Sequence, residues 1–562
     1  MSSSSRTSPP SGAAPEPAAP AAAAAPGGLT HRQILTILSG LMLGMFLAAL
    51  DQTIVSTAIR TIADDLHGLN QQAWTTTAYL ITSTIATPLY GKLSDIHGRK
   101  PYFIAAISIF IVGSVLCTFS TSMIELAVFR AFQGLGAGGL MSLALAIIGD
   151  IVPPRERARY QGYILAVFAT SSVAGPLIGG FLAGQNSVLG IAGWRWVFLV
   201  NVPIGIIGLF VVARVLNVPH TRRDHRIDWW GALTIVVGLV PLLLIAEQGE
   251  TWGWLSTRAL LCYVIGVVGV VAWIFVERGM GDEALIPMRL FRNNVFSRTS
   301  LLSLLVGMAM FGGLLMIPQY LQIVKGASPT RSGLEMLPLM LGMMAASIGT
   351  GQATSRTGRY KIFPVIGTAL MVVAMLLFHF KVQWDTPLPE TMGFMLLMGA
   401  GLGLTMQTLV LSVQNAVPPQ DMGTATASAT FFRQLGGTAG TAIFLSVLFS
   451  TVGGKITTAL GKAKSHPDFQ KAVAAHPDAL SPKSAKSVVT DSSFLKHLDP
   501  ALAAPFKQGF ADSMHLVFII VAGVALLAFL LMLTIKEVPL RRLSGAQARA
   551  QAEAEAAAAT EL

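Results

Sequence analysis

Apolar runs of about 20 residues, nearly free of charge, recur along the chain between short polar segments. They lie at 34–57, 73–93, 101–119, 122–149, 160–183, 194–215, 228–247, 257–277, 298–323, 332–352, 363–380, 391–414, 424–450 and 515–536. A helix of about 20 apolar residues crosses a ~30 Å hydrocarbon layer. Backbone groups in lipid must find partners within their own segment, so these fourteen runs predict transmembrane helices. Runs 122–149 and 424–450 are long enough to extend beyond the lipid. The fold class expected is an all-α membrane protein.

Six runs precede 216, six follow 298, and the pair within 228–277 reads as an insertion between two halves. A short internal repeat supports the halves. GKLSDIHGRK at 91–100 and GQATSRTGRYK at 351–361 both place a second Gly seven residues after the first, followed by Arg. Two homologous halves around a central site are a common plan of secondary transporters. The organisation expected is a disordered tail at 1–28, a first six-helix bundle at 29–215, two extra helices with their linkers at 216–297, a second six-helix bundle at 298–543 and a tail at 544–562. The second bundle includes one long polar loop, 451–514, which carries eight lysines and reads as a partly helical external excursion.

Composition agrees with the pattern. Of 562 residues, 53% are hydrophobic and only 12% charged, against about 25% charged in soluble proteins. The net charge of +11 raises nucleic acid as a partner, but the basic residues cluster in alternate short loops. His97, Arg99 and Lys100 follow the second run; Arg155, Arg157 and Arg159 the fourth; Arg222, Arg223 and Arg226 the sixth; Arg289 and Arg292 the eighth; Arg356, Arg359 and Lys361 the tenth. The positive-inside bias puts these loops and both termini in the cytoplasm. The loop before the thirteenth run is an exception, with only Asp421 and then Arg433. No cleavable signal peptide is evident. Cys117 and Cys262 lie in apolar runs and are expected as packed free thiols.

Candidate chemistry begins with Asp51, about six residues inside the first run and so roughly 9 Å below its outer boundary. An ionised carboxylate there is costly. It protonates or it pairs in a wet cavity, as suits proton coupling, or it makes a structural polar contact. Arg130 in the fourth run comes out at a similar depth, roughly 12 Å. If both face a cavity, the arginine favours the ionised carboxylate while dehydration opposes it; alternatively Arg130 snorkels or braces a helix crossing. Gln133 shares the Arg130 face. In the fifth run, Pro176 removes a helix hydrogen bond and Gly175 and Gly179, with Gly180, allow close helix contact. Gly436, Gly437 and Gly440 are a cruder counterpart in the thirteenth run. Thr53, Gln133, Gln319, Gln322, Glu335, Met406 and Gln407 are the candidates for a substrate surface, with Met supplying adaptability. A surface this poor in carboxylates favours lipophilic neutral or monocationic compounds over sugars or phosphates. No G-x-x-x-x-G-K-[ST], H-E-x-x-H or triad setting occurs, so no metal or cofactor is expected. Energy then comes from an ion gradient, unless another subunit hydrolyses ATP.

These motifs resemble the major facilitator superfamily, and within it the fourteen-span drug:proton antiporters. GKLSDIHGRK is similar to that superfamily's signature loop between helices 2 and 3. The resemblance implies that Gly91, Asp95, Gly98 and Arg99 gate the inner end, with Asp95 accepting a contact from helix 11 or a neighbouring arginine. The second copy has Ser355 in place of the acid. Arg130, Gln133, Gly134 and Gly136 resemble the helix 4 motif, whose arginine is linked to proton transfer. Gly175, Pro176, Gly179 and Gly180 resemble the helix 5 motif of exporters, with Ser171 replacing its first glycine. LDQTIVSTA around Asp51 and WRWVFLVNVPIG at 194–205 resemble further marks of the fourteen-span group, with Ser56 and Arg60 where its pattern has Asn and Pro. Coverage runs from about 31 to 540.

The resemblance implies two six-helix bundles plus two additional helices in a bacterial cytoplasmic membrane, alternating between inward-open and outward-open states. The expected function is proton-coupled export of lipophilic neutral or cationic small molecules such as drugs and antibiotics, with no enzymatic activity. The alternatives are a dedicated exporter of one metabolite or lipid, and a non-transporting sensor or scaffold that meets an external partner through loop 451–514.

Overall fold

The structure is a computed structural model in which residues 31–67, 72–153, 157–216, 228–418, 421–465, 467–475 and 498–540 are described. The tails at 1–28 and 544–562 and the basic positions Arg155, Arg222, Arg223 and Arg226 lie outside them.

The first half comprises α1 His31–Asp65, α2 Gln72–His97, α3 Arg99–Thr118, α4 Met123–Ile151, α5 Arg157–Ala183, α6 Trp196–Leu199 and α7 Asn201–Val215. The inserted pair is α8 Trp229–Trp252 and α9 Thr257–Met280. The second half comprises α10 Asn294–Gln319, α11 Pro329–Glu335, α12 Leu337–Thr357, α13 Ile362–Lys381, α14 Leu388–Ala416, α15 Met422–Ala463, α16 Pro467–Ala475 and α17 Pro500–Leu533. Among the described residues the only strands are a two-residue hairpin, Ser187–Val188 with Ile191–Ala192. Cys117 and Cys262 are free.

Thirteen helical segments among the described residues are long and apolar enough to cross a membrane, one fewer than the sequence pattern predicts. The difference is α2. Its run is rich in hydroxyls, and Thr75, Thr77, Thr84 and Thr87 are buried against protein. Thr87 Oγ1 donates to Ser83 O at 2.9 Å, the internal satisfaction that a hydroxyl in a helix needs. The sixth run opens with a tight turn at Gly193–Arg195 and continues through α6 and the αR residue Val200 into α7, with Asn201 inside this helical path.

Each half has its own apolar core, one around Leu38, Phe103, Phe110 and Leu140, the other around Met316, Phe378, Phe444 and Phe518. The α8–α9 pair packs on α2 and α15 through Ile235, Leu239, Ile81, Ile85 and Phe431. Leu260, Val264, Val267, Val268, Val271 and Phe275 of α9 remain exposed, a face suited to lipid. The described parts of 451–514 are largely helical. Helix α15 runs on to Ala463, and α17 begins at Pro500 under an Asp499 cap that accepts from Ala501 N at 2.8 Å. At 1.5 Å per residue α15 is about 63 Å long, roughly twice the hydrocarbon thickness.

Lipid tails are as apolar as leucine, so helices associate through close packing and internal hydrogen bonds. At Gly175 an added Cβ would lie 2.1 Å from Thr53 Oγ1, and at Gly179 one would lie 2.8 Å from Ile54 O, so α5 rests directly on α1. The α15 counterpart rests on α10: at Gly436 the Cβ would lie 2.0 Å from Leu304 O. Gly175→Val is expected to destabilise the first half by about 1–3 kcal/mol, the usual cost of overpacking. A lowered unfolding midpoint in detergent checks this; an unchanged midpoint would mean that the α1–α5 contact is looser than drawn.

Candidate functional site

A cavity of about 1250 Å³ lies between the halves, lined by α1 and α5 on one side and by α10, α12, α14 and α15 on the other. Gln52, Thr53, Gln319, Gln322, Gln407 and Gln434 supply polar groups, and Met310, Phe311, Met340, Met343 and Met406 much of the apolar wall. Thr53 Oγ1 is already engaged, donating to Ser171 O of α5 at 3.0 Å. Pro176 also reaches the wall. Lys325, Leu498 and Lys507 line the cavity toward the end away from the α2–α3 turn. Lys325 Nζ donates to Trp384 O (2.8 Å) and Thr386 O (2.6 Å). Dehydration holds its pKa below the ordinary lysine value, with Asp385 opposing.

Asp51 does not face this cavity. Successive helical residues point ~100° apart, so Gln52 and Thr53 line the wall while Asp51 turns into the first bundle and is fully buried. There Arg130 Nη1 donates to Asp51 Oδ2 at 2.5 Å, and Gln133 Nε2 (3.0 Å) and Asn201 Nδ2 (2.8 Å) donate to Asp51 Oδ1. Arg130 Nη1 also donates to Gln133 Oε1 at 2.7 Å, and Gln133 Nε2 to Ser114 Oγ at 2.7 Å. The guanidinium stacks 4.0 Å from the centroid of the Tyr79 ring. Four helices, α1, α3, α4 and α7, thus converge on one carboxylate whose two oxygens both accept. Glycines bring them close: at Gly113 an added Cβ would lie 2.6 Å from Gln133 Cα, and at Gly134 one would lie 2.5 Å from Tyr79 O.

The α2–α3 turn forms a second constellation. Gly98 holds φ at 96° and its repeat partner Gly358 at 70°, left-handed values that favour glycine, which explains why both copies keep it. Asp95 Oδ2 accepts from Thr424 N (2.6 Å) and Thr424 Oγ1 (2.9 Å) at the start of α15, and Asp95 Oδ1 lies 2.6 Å from Arg99 Nη2. Arg99 Nε donates to Asp150 Oδ2 at 2.8 Å. The partner is therefore the thirteenth apolar run together with the loop arginine, not the eleventh run. At Gly91 an added Cβ would lie 2.3 Å from Ala427 Cβ, so α2 and α15 touch across the two halves. Arg289 and Asp421 pair in parallel beside this contact, both bonds at 2.8 Å. In the second copy Ser355 Oγ donates locally to Gln352 O at 2.8 Å, and Glu537 Oε1 accepts from Tyr360 N (2.7 Å) and Lys361 N (3.1 Å).

Of the residues singled out by sequence, Thr53, Gln319, Gln322, Met406 and Gln407 meet in the cavity wall with Pro176. Gln133 belongs to the buried cluster instead, because α4 turns it toward Ser114 and Asp51. Glu335 is held 2.7 Å from Arg331 on α11 and does not line the cavity. At Gly180 nothing stands within 4 Å of an added Cβ, so it makes no close contact of the kind Gly175 makes. Asn201 and Ser114 were not anticipated. Asn201 stands as a lone amide within WRWVFLVNVPIG, the same signal that marks Asp51. Arg433 is the other omission: it lies within run 424–450, not in a loop, and lines the cavity. The wall thus holds Arg433, Lys325 and Lys507 and, among the described residues, no carboxylate.

Comparisons with known proteins agree with this architecture. The model of the Major Facilitator Superfamily matches residues 41–441. An uncharacterized MFS-type transporter of Mycobacterium tuberculosis (strain ATCC 25618 / H37Rv) is 39% identical over 509 residues, 90% of this chain and 70% of that protein. The multidrug transporter protein MdtP of Bacillus subtilis (strain 168) is 34% identical, covering 86% of this chain and 89% of its own. Among solved structures, the proton:xylose symporter XylE shares the fold at a TM-score of 0.57 and 15% identity, over 92% of this chain and 99% of that one. A bacterial homolog of the human lysosomal transporter Spinster does so at 0.53 and 18%, over 91% and 100%. Two helical bundles about a shared cavity, a signature turn clasped by the opposite half and a family match across most of the sequence lead to one conclusion: this chain belongs to the Major Facilitator Superfamily, and is a multi-pass membrane transporter rather than an enzyme.

Proposed function

We propose that this chain exports lipophilic small molecules across a bacterial cytoplasmic membrane in exchange for protons, crossing the lipid fourteen times with α2 included and both termini in the cytoplasm. The observation that carries the reading is the position of Asp51: one helical position from the cavity-lining Gln52, fully buried and paired with Arg130. A proton on Asp51 would cancel the ion pair and leave Arg130 a buried uncompensated charge, which costs several kcal/mol. Relief requires α1 to move against α4, and α1 carries Gln52, Thr53 and Ser56 on the cavity wall. Proton uptake and cavity shape are thereby linked through one helix. The clasp of α2 on α15 closes the α2–α3 end, the end the basic loops assign to the cytoplasm, so the cavity in this state faces away from it. Export, rather than uptake, is supported by relatives named as a multidrug transporter and a multidrug resistance protein.

The test is a panel of neutral, anionic and cationic amphiphiles in proteoliposomes with an imposed pH gradient. Substrate is expected to move against the proton flux and to stop when the gradient is collapsed. Equal movement with and without a gradient would overturn antiport.

A further inference from the structure

Charge on the cavity wall is of one sign. Among the described residues that line it there is no Asp or Glu, while Arg433, Lys325 and Lys507 are all basic. The two lysines stand toward one mouth, and Lys325 is occupied by carbonyl oxygens. Arg433 stands deeper, eleven residues into α15 from Met422 and roughly 16 Å along it. Its main chain is pinned: an added Cβ at Gly307 of α10 would lie 2.1 Å from Arg433 O. Among the described residues its guanidinium has no ion pair, hydrogen bond or ring partner. Gln434 Oε1 lies 2.9 Å from Thr87 Oγ1 of the opposite half, and Thr430 Oγ1 donates to Thr426 O at 2.9 Å.

A guanidinium offers five donors in a rigid fork that matches a carboxylate. A half-buried arginine at this depth without a counter-charge is expensive. It contrasts with Arg130, Arg99 and Arg289, each of which faces a carboxylate of this chain. A ligand carboxylate would restore charge balance through a two-pronged, charge-assisted contact. The remaining wall, with Phe311, Met310 and Met406 among its members, suits an apolar body, and 1250 Å³ leaves room for one. We propose that the cavity selects amphiphilic monoanions, with a carboxylate seated on Arg433 and the apolar body against the methionine-rich wall. The inference rests on the reading of this cavity as the transport site and names its substrate class.

The test uses purified full-length protein in nonionic detergent and three ligands of one skeleton: 3-(1-naphthyl)propanoate, its carboxamide, and the trimethylammonium analogue. Equilibrium binding is expected to favour the carboxylate over the carboxamide by about 10-fold, with the ammonium compound weakest. Arg433→Gln is expected to bring the carboxylate-to-carboxamide ratio close to unity, and Arg433→Lys to keep part of it. Tightest binding of the ammonium compound, or a carboxylate preference that survives Arg433→Gln, overturns the proposal. If Arg433→Gln does not fold, the order of the three ligands on the wild-type protein decides. Carboxamide transport in proteoliposomes separates the two readings. Gradient-driven transport without charge preference in binding removes this inference and leaves export standing; charge preference without gradient-driven transport does the reverse.

Discussion

Asp51→Asn is expected to reduce gradient-driven transport by about 100-fold or more, the equivalent of about 2.7 kcal/mol. Asn has the right shape and the wrong chemistry. Both Asp51 oxygens accept, one from Arg130 and the other from Gln133 and Asn201. The amide NH2 must therefore point at a donor on one side or the other, and Arg130 loses its counter-charge. Removing one member of a buried ion pair typically costs about 3–5 kcal/mol, so lost transport alone could reflect lost folding. Asp51→Asn combined with Arg130→Gln removes both charges and separates the two effects. The double variant is expected to regain much of the unfolding midpoint while proton-driven transport stays absent. Measured in proteoliposomes, full transport by the single variant would show that protons use another route.

The second large effect is expected at the clasp. Gly91→Leu places a side chain where the first added carbon already lies 2.3 Å from Ala427 Cβ and 3.3 Å from Gly423 O. Packed backbones cannot yield that much, so α2 and α15 must separate. Separation also withdraws Asp95 from Thr424 N and Oγ1 at the head of α15. Spin labels at Pro101 and Arg356, on the two halves at the same end, are expected to move apart by several ångström, and transport to fall because the closed state can no longer form. An unchanged distance distribution together with unchanged transport would mean that this contact does not hold the end shut.

The helices were legible in the sequence because lipid imposes a single rule, about 20 apolar residues per crossing, and the chain obeys it nearly everywhere. It bends the rule at α2, whose threonines face protein and so need not be apolar. Asp51 and Arg130 were legible as costly charges at similar depth, but depth alone left open whether they touch, as they do at 2.5 Å. Which way they face was not legible, because one residue of helical rotation separates the cavity wall at Gln52 from the interior at Asp51. Asn201 escaped notice because an amide disturbs an apolar run less than a charge does. Arg433 was misplaced because the length of α15 hides where the membrane segment begins. The helical part of the excursion was legible only in outline: Lys455 and Lys462 lie in the far part of α15, where polar spacing alone does not mark a helix.

A lone guanidinium on the cavity wall also bears on how the cycle responds to voltage. Displacing one elementary charge across 100 mV is worth about 2.3 kcal/mol. Exchanging a monocation for one proton would be electrically silent. Sending a monoanion outward against one inward proton transfers two charges in the same electrical sense, about 4.6 kcal/mol per 100 mV. An interior-negative cell would then supply most of the work even with no pH difference. If Arg433 seats a monoanion and one proton returns per cycle, the exchange is electrogenic, and transport by proteoliposomes is expected to respond to an imposed membrane potential at equal pH.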